Sequence, residues 1–294
     1  MKRQELNVRD PFVLADAASG QYYLYSTTGQ ECWGGPASGF YAYRSPDLEA
    51  WEGPFQVFAP PEGFWSDINY WAPEVHAYGG AYYMLATFYC TDRHRRRGTQ
   101  VLRADSPLGP FRVWSDGPVT PEAWECLDGT LYVEDGQPYL VFCHEWLQAV
   151  DGTICALPLT PDLKAAAGAP TVLFHASEAP WSTGSDFAFP DGHREVAHVT
   201  DGPYLFRSPQ GGLCMLWSSF QEGRYAIGVA HSAGGVLGPW TQEAQSIFRE
   251  DGGHGMVLNT LGGQQRLCIH SPNTAGEERP LFLSVRWEGE QLVV

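Results

Sequence analysis

The stretch LDGTLYVEDGQPYLVFC, residues 127–143, decides how the rest of the chain is read. An acid stands in front of a short apolar run, an Asp-Gly pair interrupts it, and an aromatic-rich run follows. Asp-Gly between two apolar runs signals a tight hairpin, because both turn residues tolerate positive φ. The expected unit is a two-stranded hairpin with the carboxylate of Asp128 at its start.

The same plan recurs four times: RDPFVLADAASGQYYLYST (9–27), APEVHAYGGAYYMLATF (72–88), TDGPYLFRSPQGGLCMLWSS (200–219) and GHGMVLNTLGGQQRLCIH (253–270). Each hairpin is followed by a second pair of strand-like runs, the last in shortened form. Three of these second pairs carry Gly-Pro before an aromatic ring, at Phe55, Phe111 and Trp240. Five units of about four strands, at irregular spacing, predict an all-β, five-bladed β-propeller with a central funnel, one domain over residues 1–294.

In a propeller the first strand of every blade lines the axis. The leading residues Asp10, Glu74, Asp128, Asp201 and His254 should therefore face one another. One acid in such a place is ordinarily a turn residue bonded to backbone N–H groups. Three Asp ahead of Gly or Pro in the same setting point to a shared site. Crowded carboxylates cannot all ionise at their usual pKa, and that separation is what glycoside hydrolysis requires of its acid and its base. Trp71 and Phe12 are candidates for stacking on a sugar ring.

Composition narrows the alternatives. The net charge is -16 and the isoelectric point near 4.8, which excludes nucleic acid and anionic membrane as partners. The basic run RHRRR (93–97) reads as a solvated loop or an ion-pair cluster. Seven cysteines without a C-x-x-C pair do not make a disulfide framework. The nine histidines show no metal-site spacing, and no Gly-rich strand-to-helix turn signals a nucleotide cofactor. The N-terminal MKRQELNVRD has no apolar signal-peptide core, so a cytoplasmic protein is expected.

With these residues in hand, the chain resembles glycoside hydrolase family 43. The carriers are RDPFVL with Asp10, YWAPEV (70–75), LDGTLYVEDGQPYLVF with Asp128, TDGPYLFR with Asp201, GGHGM (252–256) and Arg279 of GEERPLF. The resemblance implies an inverting hydrolase of α-L-arabinofuranosyl or β-D-xylosyl linkages acting on pentose-containing oligosaccharides. It assigns Asp10 as general base, Asp128 as tuner of the acid's pKa and Asp201 as general acid. It places Arg279 by the sugar and a bound ion, often Ca²⁺, at His254. The family usually has Glu where this chain has Asp201, a side chain shorter by about 1.5 Å. Asp201 itself, another acid such as Glu195 or Glu145, or a propeller that binds sugar without hydrolysis are the readings this leaves. Five-bladed fructan hydrolases share RDP and a Glu-Cys pair (Glu125, Cys126), but the N-terminal nucleophile motif of that class is missing here.

Overall fold

The computed structural model describes residues 1–27, 35–189 and 191–294. The first sheet holds β1 (Arg9–Asp16), β2 (Gln21–Thr27), β3 (Phe40–Ser45) and β4 (Glu52–Phe58). The second holds β5 (Ile68–Tyr78), β6 (Ala81–Tyr89), β7 (Gly98–Ala104) and β8 (Arg112–Val113). The third holds β9 (Cys126–Glu134), β10 (Gln137–His144), β11 (Thr153–Pro158) and β12 (Thr171–His175), with a single helical turn, α1 (Trp146–Ala149), between β10 and β11. A separate hairpin, β13 (Ser185–Ala188) and β14 (Arg194–Ala197), precedes the fourth sheet of β15 (Asp201–Arg207), β16 (Leu213–Gln221), β17 (Arg224–Ser232) and β18 (Trp240–Gln242). The fifth sheet has β19 (Gly253–Asn259), β20 (Gln265–Ser271) and β21 (Arg279–Ser284), and the chain ends in the hairpin β22 (Arg286–Glu288) and β23 (Gln291–Val293).

All five sheets are antiparallel meanders, and the first strands β1, β5, β9, β15 and β19 contact their neighbours in sequence order until β19 meets β1. The fold is the expected five-bladed propeller. The Asp135-Gly136 turn has φ 50° and 83°, with Gln137 paired to Glu134, the geometry of a two-residue hairpin. Apolar clusters fill the wedges between adjacent sheets, with Trp51, Trp181 and Trp217 fully buried. Six cysteines are buried free thiols; Cys32 lies outside the described residues. The fifth sheet differs from expectation: it has three strands, and the terminal hairpin forms its own small sheet, burying Leu292 against the fourth and fifth blades. The N-terminal segment closes the ring, bonding at Arg3 to Glu49 of the first blade and at Val8 to Glu278 of the fifth.

One local device, repeated five times, positions the site. In each first strand two residues oppose a single residue of the second strand, forming a β-bulge at Asp10-Pro11, Ala72-Pro73, Asp128-Gly129, Gly202-Pro203 and His254-Gly255. The first residue of each pair has positive φ: 54°, 43°, 57°, 51° and 46° in that order. Such backbone costs about 1 kcal/mol or more outside glycine and is concentrated at functional sites.

The bulge re-aims each backbone N–H across to the preceding blade. Ala72 donates to Thr27 Oγ1 (2.7 Å), Asp128 to Thr87 Oγ1 (2.9 Å), His254 to Ser218 Oγ (2.8 Å) and Asp10 to His270 Nδ1 (3.2 Å). These acceptors occupy one register of the second strands. In the third blade that register holds Cys143, a poor acceptor, and the Asp128 carboxylate takes the N–H of Gly202 instead, at 3.1 Å. Thus the ring that closes the propeller also fixes the side chains around its axis.

Candidate active site

A cavity of about 510 Å³ opens over these bulges. Its floor is Arg9, Asp10, Asp128, Asp201 and His254, and Tyr225 stands beside them. Asp10 and Asp128 are buried, 8% and 7% exposed, whereas Asp201 is partly open to the cavity.

His254 is the hub. Its Nδ1 lies 3.2 Å from Asp10 Oδ1 and 3.7 Å from Asp128 Oδ2. Burial alone would discharge the imidazole; Asp10, Asp128 and Asp201 outweigh it and raise the pKa. A Cβ on Gly202 would meet the His254 ring at 2.7 Å, and φ there is +51°, so only glycine fits that position.

Asp10 is held as an anion. Burial pushes its carboxyl up, but His254, Arg9 and the Thr27 hydroxyl (2.8 Å to Oδ2) bring it below the usual carboxylate range. Arg9 is itself fixed by Glu278 at 3.0 Å. His270, wholly buried, is pushed down to about 4 by that burial. It stays neutral, accepts the Asp10 N–H at Nδ1 and meets Asn273 through Nε2 at 3.1 Å.

Asp128 and Asp201 go the other way. For both, burial is the largest cause and raises the pKa; the negative charge of Asp201 raises Asp128 further. His254 opposes this in both, joined at Asp128 by the Gly202 N–H and at Asp201 by the Tyr225 hydroxyl, which donates to Asp201 Oδ2 at 3.0 Å. The cavity floor therefore carries one carboxyl pushed below the usual carboxylate range and two interacting carboxyls pushed above it.

The walls come from elements the sequence did not announce. Trp146 and Leu147 of α1, Phe187 of the β13–β14 hairpin and Phe220 face the cavity, with Trp146 stacked on Phe187 at 4.3 Å between centroids. Trp71 also lines the cavity, and Arg97 lies over its ring at 4.7 Å. Arg97 is ion-paired with buried Glu145, whose pKa burial pushes up to about 7 although Arg97 pulls it down.

Several expectations are corrected. Asp201 is not in register with Asp10 and Asp128: Gly202 occupies the bulge, and Asp201 aligns with Arg9, Trp71, Leu127 and Gly253. Glu74 does not line the cavity, because the second bulge falls at Ala72; its carboxylate accepts from Thr130 and sits 3.0 Å from His76. Phe12 is a core ring packed on His76 and Tyr204. Arg279 is not part of the lining: its guanidinium bonds to the carbonyls of Gln4 and Glu278 at the ring closure, and Arg9 supplies the cation at the floor. Of the spare acids, Glu145 lines the cavity and Glu195 is exposed on the β14 hairpin beside His193.

His254 offers a single ring nitrogen between two carboxylates, and Ca²⁺ takes six to eight oxygen ligands. Among the described residues, the close group of three metal-binding side chains is Cys90, Asp92 and His94, away from the axis. The side chains at His254 do not make a Ca²⁺ cage, and no chemistry below passes through one.

Comparisons with known proteins agree with the propeller fold. The endo-arabinase of Bacteroides thetaiotaomicron VPI-5482 superposes with a TM-score of 0.89 at 39% identity, covering 98% of this chain and 97% of that one. A thermostable family-43 glycoside hydrolase superposes at 0.79 with 22% identity over 97% and 92% of the two chains. The α-L-arabinofuranosidase of Lactobacillus brevis gives 0.73 at 17% identity over 98% and 95%, a likeness of fold alone. No curated protein sequence matches the chain. The sequence fits the family profile "Glycosyl hydrolases family 43" over residues 5–289, and the chain belongs to that family of glycosidases.

Proposed function

We propose that this protein hydrolyses α-L-arabinofuranosyl linkages of plant-wall oligosaccharides by a single inverting displacement. The observation that carries the proposal is the floor of one cavity that holds Asp10, Asp128, Asp201 and a buried His254, with the Asp10 pKa pushed below the usual carboxylate range and that of Asp201 above it. Inversion needs a base on one side of the anomeric carbon and an acid at the leaving oxygen. Asp10, kept anionic by His254, Arg9 and Thr27, takes the proton of the attacking water. Asp201, whose pKa burial raises, gives its proton to the departing oxygen. Asp128 shares that region without contacting solvent freely, and its own negative charge, when present, raises the cost of ionising Asp201. Trp71 and the Trp146–Phe187 stack, which line the cavity, offer aromatic surface suited to the C–H faces of a sugar ring. Arabinose is preferred over xylose because the relative at 39% identity is described as an endo-arabinase.

The test is turnover of 4-nitrophenyl α-L-arabinofuranoside, 4-nitrophenyl β-D-xyloside and short arabino-oligosaccharides, with the product anomer followed by NMR. The expected result is cleavage of the arabinosides with inverted configuration. Asp201→Asn should lose about 10²-fold or more on the oligosaccharides, whose leaving group needs a proton, and much less on the nitrophenyl glycoside. Retained configuration, or no turnover of any pentoside, would sink the proposal.

A further inference from the structure

The four arginines of residues 93–97 stand apart in a chain of net charge -16. They line a depression of about 660 Å³ together with Tyr89, Glu125, Leu147 and Gln148. This depression shares Arg97 and Leu147 with the catalytic cavity, so the two are continuous along the rim of α1.

Two of the arginines have their charge answered. Arg96 pairs with Glu125 at 2.9 Å, and the second oxygen of Glu125 accepts the Arg97 N–H at 3.0 Å. Arg97 pairs with Glu145 and lies between the rings of Trp71 and Tyr89, and its buried Nε has no hydrogen-bond partner among the described residues. The other two do not: Arg93 and Arg95 are exposed, and no ion pair among the described residues involves either, although Arg95 lies over the Trp65 ring at 5.9 Å. The run combines the two readings its sequence allowed, an ion-pair cluster at Arg96 and Arg97 and a solvated stretch at Arg93 and Arg95, and the latter two guanidinium groups line a hollow beside the active site.

We propose that this depression binds the carboxylate of an acidic sugar, a uronate, carried on the same glycan as the pentosyl linkage cut in the adjoining cavity. This rests on the pentosidase function proposed above. Guanidinium groups match carboxylates bidentately, and Tyr89 and Leu147 supply apolar surface for the sugar ring next to them. A dense polyanion is disfavoured by the acidic remainder of the surface, whereas one carboxylate placed by a neutral glycan is not. The consequence is selectivity for side chains borne on an acidic polysaccharide over the same linkage in a neutral one.

The experiment compares an arabino-oligosaccharide bearing one uronate with its carboxyl-reduced counterpart. Turnover is measured on the native protein, and affinity on the Asp10→Asn variant, which cannot consume either ligand. The acidic form should bind about tenfold more tightly and show a correspondingly higher kcat/KM, and the preference should fall with added salt. The exposed double substitution Arg93→Gln/Arg95→Gln should bring the ratio to about one while leaving turnover of the neutral oligosaccharide unchanged. Equal affinity for the two ligands in the parent, or a preference that survives the double substitution, overturns the inference. So does displacement of the acidic ligand by inorganic phosphate at equal concentration, which would mark a general anion site. If no pentoside is cleaved at all, the proposed activity fails and the affinity ratio still decides this inference.

Discussion

Asp10 and Asp128 occupy the same place in two blades and end in opposite charge states. Both open a bulge, both have φ near 55° (54° and 57°), and both face His254. The difference lies in two neighbours. Before Asp10 stands Arg9 and across the ladder stands Thr27, which donates to its carboxylate at 2.8 Å. Before Asp128 stands Leu127 and across stands Cys143, so His254 and the Gly202 N–H oppose its burial without the arginine and the hydroxyl that Asp10 has. One backbone motif therefore yields a base or a proton-holding acid according to the residues at i−1 and across the strand. The repeat supplies position, and substitutions around it supply chemistry.

The largest expected effect breaks the comparison at its functional end. Asp10→Asn is nearly isosteric and removes only the base, so turnover should fall about 10³-fold or more while the fold is kept. Near-normal activity in a folded Asn variant would show that the ionised carboxylate in this register is not the base.

Thr27→Val tests the neighbour instead of the carboxylate. It deletes the donor to Asp10 and the acceptor of the Ala72 N–H together. Leaving that buried N–H unsatisfied should cost about 1–3 kcal/mol of stability. Loss of the donor should also raise the Asp10 pKa, moving the acid limb of the kcat/KM–pH profile to higher pH. Thr27→Ser should restore both. A melting temperature lowered with no movement of the acid limb would leave Thr27 a structural residue alone.

How much of this was legible follows from the bulges. Asp10, Asp128 and His254 could be found because each immediately precedes the Pro or Gly that the bulge uses next. The same rule places Ala72, ahead of Pro73, beside them and moves Glu74 out of register, but at Asp201-Gly202-Pro203 it admits both Asp201 and Gly202 and cannot choose between them. Residue type alone points instead to acids one or two residues away from the bulge, Asp201 and Glu74. Arg9 sat inside the motif RDPFVL and was passed over for Arg279, because nothing in a linear string shows that Arg279 is spent on the N-terminal segment. The aromatic wall was illegible for a different reason. Trp146, Phe187 and Phe220 come from a single helical turn, an inserted hairpin and a strand end, and tertiary placement alone brings them together.

Stability offers a subtler contrast between the two carboxylates. The Asp10 pKa is depressed in the folded state, so its contribution is present above the unfolded pKa near 3.9 and is lost as pH falls through the folded value. The Asp128 pKa is raised, so its contribution is present below about 3.9 and is lost as pH rises through the folded value. At neutral pH the charge on Asp10 favours folding and the burial of Asp128 opposes it. Asp10→Asn should therefore lower the melting temperature and Asp128→Asn raise it, each by an amount on the order of 1 kcal/mol, with Asp128→Asn less active despite its stability. Melts at pH 7 that move in the same direction would contradict the charge states assigned here.

The smallest effect concerns Asp201, the acid that stands outside the shared register. It lacks the bulge geometry of the other two, and the Tyr225 hydroxyl at 3.0 Å orients it. That hydrogen bond favours the carboxylate form and opposes the rise caused by burial. Tyr225→Phe keeps the ring stacked on His270 and packed on Phe220 and removes only the donor. The Asp201 pKa should then rise, carrying the alkaline limb of the kcat/KM–pH profile upward by a fraction of a pH unit, while the acid limb set by Asp10 stays in place. Movement of the acid limb instead would mean that the proton donor and the base are exchanged between the two carboxylates, and the contrast between Asp10 and its neighbours would have to be redrawn with Asp201 as the anion.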